Sequence, residues 1–132
     1  MARIIVAVFL VLHGLVHLLY MGQSARLFEL QPGLTWPSGS WLLSKFLADG
    51  AARLVADVSC VLAALGFGVA AVGLILDQTW WRPTVAATAV FSALLYVLFW
   101  NGQLQRLDQQ GAVAILINAA ILVIALLLRW PQ

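Results

Sequence analysis

The sequence predicts an all-α, four-span transmembrane helical bundle of up-down-up-down topology. Three observations carry that prediction. Of the 132 residues, 64% are hydrophobic and 9% are charged, with a mean hydropathy of +1.00; a soluble domain carries about 25% charged residues. Four apolar runs are each long enough to cross a hydrocarbon core of about 30 Å, which takes ~20 helical residues. The six tryptophans fall near the ends of those runs, where the aromatic belts of membrane proteins lie. The length suits a single domain, residues 1–132.

The first span covers about residues 4–21. Histidines and Tyr20 follow its apolar stretch in place of a small-residue cleavage site, so it reads as a retained helix and not as a signal peptide. The helix is expected to continue through residues 23–30, where Arg26 and Glu29 stand at i,i+3 and can pair. Pro32-Gly33 then stops it. Residues 31–50 form the one long connection. Trp36-Pro37-Ser38-Gly39 is turn chemistry. Ser40 suits the cap of a short interfacial helix, about 41–48, with Trp41, Leu42 and Phe46 on one side. Asp49-Gly50 bends the chain, and Asp49 is a candidate cap for the second span, about 51–76. The third span, about 84–100, follows Trp80-Trp81-Arg82, with Pro83 fitted to a first helical turn. The chain is polar from Asn101 to Gln110. The fourth span, about 111–128, is closed by Arg129-Trp130-Pro131. Trp80, Trp81 and Trp130 thus belong to one membrane face, and Trp36, Trp41 and Trp100 to the other.

Charge and composition narrow the partners. No basic cluster points to nucleic acid or to a polybasic lipid patch. The single cysteine, Cys60, excludes an internal disulfide and a CxxC motif. No linker, low-complexity tract or internal repeat interrupts the chain. Arg3, Arg82 and Arg129 lie on the side of the termini, and Arg26, Lys45, Arg53 and Arg106 on the other, so the positive-inside rule is nearly balanced. Reading the tryptophan-rich loop as an outer lid puts both termini in the cytoplasm of a bacterial inner (plasma) membrane.

The polar residues of the spans fall on one stripe per helix. His13 and His17, the only histidines, are four residues apart and share a helical face with Tyr20. Arg53, Asp57 and Cys60 lead into Ala64, Gly68 and Ala71. Thr84, Thr88, Ser92 and Tyr96 follow at i,i+4 steps and lead to Asn101 and Gln103. Gly111, Ala114, Asn118 and Ala125 form the fourth stripe. Lipid contact would leave such groups unpaired, so these faces are expected to turn inward. At 1.5 Å per residue, His13 lies about 12 Å from Met21 and Asn118 about 10 Å from Gly111. The two therefore meet at similar depth, with His17, Asp57 and Asn101 in a shallower layer. This predicts a half-membrane pocket near the long-loop face. His13, His17, Asp57, Asn118, Tyr20 and Tyr96 line it, and Arg53, Asn101, Gln103 and Arg106 form its rim.

Each feature has a structural alternative. The histidines can bridge helices through Asn118 or Asp57 in place of serving a ligand. Arg53 and Asp57, at i,i+4, suit an interfacial ion pair; the other reading has Asp57 orient His17 or act as an acid or base. Cys60 suits small-residue packing, Asn118 a helix–helix hydrogen bond, and the threonine-serine row back-bonding to its own helix. Gly66-Phe67-Gly68 and Ala70-Ala71 suit close packing, within the bundle or in a dimer. Residues 101–106 suit either a cap or the pocket rim.

Histidines at i,i+4 also raise a metal site, with Asp57 or Cys60 as further ligands. Gly14 after His13 departs from HExxH. Haem held by both histidines would need a second chain, because the two project from one side of one helix. Four function classes follow: a pocket for a lipophilic or redox-active molecule, quinone-like or lipid; a metal or haem protein; a transporter, which would need a dimer; and a non-catalytic structural or assembly subunit of a larger membrane complex. The partners are membrane lipids and either a second copy or such a complex. The residues point to no named reaction.

The layout resembles the DoxX-like group of small bacterial four-helix membrane proteins. The shared features are Arg3 before helix 1, His13-Gly14 and His17 late in it, a long first loop, an acidic Asp57 early in helix 2, and Gly66, Gly68 and Gly73 towards that helix's end. The resemblance covers most of the chain. It implies membrane redox chemistry at the quinone pool, with Asp57 and the polar face of helix 1 lining the pocket. Asp57 stands where Glu is more usual in that group, and the paired histidines depart from its pattern.

Overall fold

In the computed structural model the chain is an all-helical bundle; the structure describes residues 1–34, 36–37 and 39–131. Helix α1 spans Ala2–Ser24, α2 Asp49–Ile75 and α3 Trp81–Leu98; α4 runs over Ala112–Leu127 and ends in a π-helical turn, Val123–Leu127. Three of these, α1 to α3, are long and apolar enough to cross a membrane. The fourth is equally apolar but shorter, about 24 Å at 1.5 Å per residue. Each helix packs on the next in sequence, the arrangement of an up-down-up-down bundle. The outward faces are bare hydrocarbon: Leu12, Leu62, Leu94 and Leu116 are 57%, 54%, 62% and 71% exposed. A bundle with such a surface belongs in lipid, where apolar side chains need no partner.

The core is built of small and aromatic residues. At the end of the termini, Ala7, Leu10, Phe67, Ala70, Leu74, Val85 and Ile121 cluster. At the loop end, Trp36, Ala56, Cys60, Leu95, Tyr96 and Phe99 form a second cluster. Close approach of α1 and α2 depends on Gly14, where a Cβ would stand 3.1 Å from the Ala64 carbonyl oxygen and 3.3 Å from Phe67 Cβ.

Several local expectations are corrected. Helix α1 stops at Ser24 and does not run on through residue 30. Arg26 adopts a left-handed φ of 59°, and Leu27 N–H returns to the Gly22 carbonyl at 2.9 Å. This is the Schellman closure, so the helix ends well before Pro32-Gly33, and Arg26 and Glu29 no longer share a helix. Helix α2 closes the same way, with Asp77 at φ 56° and Gln78 N–H bonded to the Gly73 carbonyl at 2.9 Å. The expected 41–48 helix is a single 3-10 turn, Leu43–Lys45. Its cap position is Leu42, without a side-chain capping bond; Ser40, two residues earlier, still accepts from Leu43 N–H at 2.9 Å. Asp49 lies inside the first turn of α2 without a side-chain capping bond, where its charge still favours the helix N-terminus. Pro83 sits in the first turn of α3 as expected. Ser38, part of the expected turn, lies outside the described residues.

The tryptophans differ in burial within the expected belts. Trp80, Trp130 and Trp41 are 41%, 44% and 44% exposed, while Trp36 and Trp81 are buried at 2% and 7%. The long loop is held to the bundle from both sides. Gln23 donates to the Leu34 and Trp36 carbonyls at 3.0 and 3.1 Å and accepts from Leu30 N–H at 3.2 Å. Trp41 donates its backbone N–H to the Trp100 carbonyl at 2.8 Å and its indole N–H to the Val97 carbonyl at 3.0 Å.

Candidate functional site

Two polar layers lie one above the other in the loop half of the bundle. The deeper is a closed chain of hydrogen bonds across three helices. His13 Nε2 lies 3.1 Å from Asn118 Oδ1, Asn118 Nδ2 donates to Ser92 Oγ at 2.8 Å, Ser92 Oγ lies 2.7 Å from His17 Nε2, and His17 Nδ1 lies 3.0 Å from the His13 carbonyl. A carbonyl oxygen only accepts, so His17 carries its proton on Nδ1 and His13 carries one on Nε2. In the neutral tautomer His17 Nε2 then accepts, and the Ser92 hydroxyl donates to it. Each of the four bonds then pairs one donor with one acceptor, all pointing in one direction. Such a network satisfies the backbone-free polar groups of three helices without a buried charge.

The histidine layer is filled. His17 and Asn118 are fully buried, as are Ser92 and Phe67. The Phe67 ring meets His13 edge-on at 4.8 Å between centroids and His17 at 5.6 Å. The expected meeting of His13 with Asn118 occurs. The expected shallower layer of His17 with Asp57 and Asn101 does not form, because His17 turns to Ser92. Ser92 belongs to the row identified along α3, but its role as the hub of the network was not read from sequence; its signal is its depth, one turn below Tyr96.

Above the histidines stands an aromatic layer. Trp36 stacks on Tyr96 at 4.5 Å with the rings 29° apart. Tyr20 meets Trp36 edge-on at 4.8 Å and Tyr96 at 6.2 Å, and Tyr96 lies 5.7 Å from His17. Cys60 is buried in the same cluster. Tyr96 presses on Gly111, whose φ of 89° and missing Cβ admit the ring; a side chain there would overlap it. This layer contains two polar atoms with no hydrogen-bond partner among the described residues, the Tyr96 hydroxyl and Trp36 Nε1, both buried; Asp57 Oδ1 on α2 is likewise buried without one. Trp36 was not expected here. It arrives on an irregular loop, which leaves no periodic signal in sequence.

The remaining candidates are spread along the loop face. Arg53 and Asp57 are half-buried and flank the inward stripe of α2, which is Ala52, Ala56, Cys60, Ala63 and Phe67. Their expected ion pair is not formed among the described residues; the salt bridge present is Arg3–Asp77 at 2.7 Å. Asn101, Gln103 and Arg106 are exposed, and Asn101 Oδ1 accepts from Gln103 N–H at 2.8 Å. Thr84 and Thr88 back-bond to the Trp80 and Thr84 carbonyls, each at 2.8 Å, as their spacing suggested.

A metal does not fit the histidines as they stand. No three His, Cys, Asp or Glu side chains gather among the described residues. Both nitrogens of His17 are engaged, which leaves that residue no lone pair for a metal or a haem iron.

Between α3, α4 and the 101–110 segment, a groove of about 280 Å³ opens on the outside of the bundle and has Tyr96 in its wall, with Trp100, Leu104, Leu107, Ala112 and Ile115. Compared with known proteins, the chain matches no family model, no curated sequence and no solved structure.

Proposed function

We propose that the aromatic layer beneath the first loop binds a lipophilic molecule that carries hydrogen-bond acceptors, and that a quinone-like molecule is the simplest one to suit it. One observation carries this reading: the Tyr96 hydroxyl and the Trp36 indole N–H are buried donors with no acceptor among the described residues. In hydrocarbon an unmet donor costs several kcal/mol by transfer, of order 2–7. A ligand carbonyl removes that cost at both atoms. Asp57 Oδ1, a buried acceptor without a donor, would suit a ligand hydroxyl. Tyr20 and Cys60 would complete the wall, with His13, His17 and Asn118 as a rigid floor. The groove that has Tyr96 in its wall would be the route from the bilayer. The resemblance of the layout to the DoxX-like group makes a quinone the first probe, and a membrane redox role is the activity this reading extends to.

The test is binding of a short-chain ubiquinone analogue to the detergent-purified protein, followed by native mass spectrometry. Tyr96→Phe keeps the ring stack and removes only the O–H. It is expected to weaken retention about tenfold, the worth of one buried hydrogen bond. Equal retention in the variant, or none in the wild type, overturns the proposal.

The second reading is a structural subunit of a membrane complex, in which the polar residues only tie helices. The completeness of the histidine network without a ligand favours it. It makes the opposite prediction for the same variant: Tyr96→Phe removes an unmet hydroxyl and raises thermal stability, with no ligand to lose.

A further inference from the structure

At the opposite membrane face, an apolar groove and a cationic pocket adjoin. The groove, about 260 Å³, lies in the seam between α1 and α4 and is walled by Ile5, Phe9, Trp81, Ile124, Ala125 and Trp130 among others. The pocket, about 340 Å³, is lined by Arg3, Asp77, Gln78, Arg82 and Pro131. They meet at two places. Trp81 lines both, and Trp130 of the groove is followed directly by Pro131 of the pocket. An aliphatic chain in the one would therefore place a polar head in the other.

The pocket's electrostatics select the head. Arg82 is held in place by carbonyls, donating to Arg129 O at 2.6 Å and Pro131 O at 2.9 Å, and its guanidinium lies 4.9 Å from the centroid of the Trp81 ring. Carbonyl dipoles and a ring face orient the cation but bring no opposite charge. Its Nε is buried without a hydrogen-bond partner among the described residues. Among the described residues the one carboxylate lining the pocket is Asp77, and it is engaged by Arg3. A fixed guanidinium with an unfilled N–H is the donor geometry that a phosphate oxygen satisfies.

We infer that this face holds an anionic phospholipid, with an acyl chain along the α1–α4 seam and its phosphate at Arg82. The chain closes a seam that the protein leaves open beside the π turn of α4. The phosphate completes Arg82 at the depth where Trp80 and Trp130 mark the headgroup level.

The experiment measures thermal stability and lipid retention of the detergent-purified protein with dioleoyl phosphatidylglycerol, dioleoyl phosphatidylcholine or inorganic phosphate. Phosphatidylglycerol is expected to raise the melting temperature and to survive into native mass spectra, while the other two do neither. Arg82→Gln is expected to lower phosphatidylglycerol retention about tenfold. Because Arg82 also ties α3 to the C-terminal segment, Ile124→Trp serves as the second variant: it fills the groove, leaves the pocket intact, and is expected to abolish retention without loss of fold. Equal effects of the two lipids, an equal effect of phosphate alone, or a dimer that occupies the seam in place of lipid would each overturn the inference.

Discussion

Asn118 shows how much one side chain does in this bundle. It accepts from His13 and donates to Ser92, so its loss strands a donor on α1 and reorganises a hydroxyl on α3. Asn118→Ala is expected to lower stability by about 1–2 kcal/mol in detergent. A double-mutant cycle with His13→Phe should return a coupling of roughly 0.5–2 kcal/mol; a value near zero would show that the His13–Asn118 bond contributes nothing. That pair was legible in sequence because both residues sit on inward stripes at matched depth. The partner of His17 was not. Asp57 and Ser92 are both one or two turns from the loop face, and only the rotation of α2, which turns Asp57 to the edge of its buried stripe, decides between them.

At the scale of elements, the first loop depends on polar anchors more than on its own secondary structure. Gln23 at the end of α1 holds three backbone groups of the loop, and Ser40 and Trp41 hold it to the end of α3. Gln23→Ala is expected to raise amide hydrogen exchange across residues 30–41 while α1 and α2 stay protected, a local opening of about 1–3 kcal/mol. Unchanged exchange would mean that the Trp36–Tyr96 stack alone secures the loop. That the Ser40 hydroxyl would meet a nearby backbone N–H could be foreseen from residue type, whereas the Gln23 anchor could not. A glutamine one residue before a helix end has no preferred partner until the loop returns over it.

For the whole molecule, the two faces of the bundle have different chemistry. The loop face buries aromatic donors, and the face of the termini presents arginines beside an apolar seam. We expect the termini on the cytoplasmic side, with the loop face outside. An impermeant maleimide applied to intact cells should then label Leu104→Cys and spare Gln78→Cys. Native Cys60 is fully buried and gives no background. The reverse pattern would invert the orientation and put the aromatic layer on the cytoplasmic side.

By itself the sequence determined the solvent of this protein, its four helices to within a few residues at either end, and the inward stripes of α1, α3 and α4. These follow from hydropathy and from the 3.6-residue period, which act locally and are written in consecutive residues. Only the tertiary structure decided that Ser92 completes the histidine network, that Trp36 leaves the interface for the core, and that Arg53 and Asp57 stay apart. Each of those depends on helix rotation or on the path of an irregular loop. Both are set by how the four helices pack together, through contacts such as Gly14 against Ala64 and Tyr96 against Gly111, and neither has a period that a single strip of sequence can display.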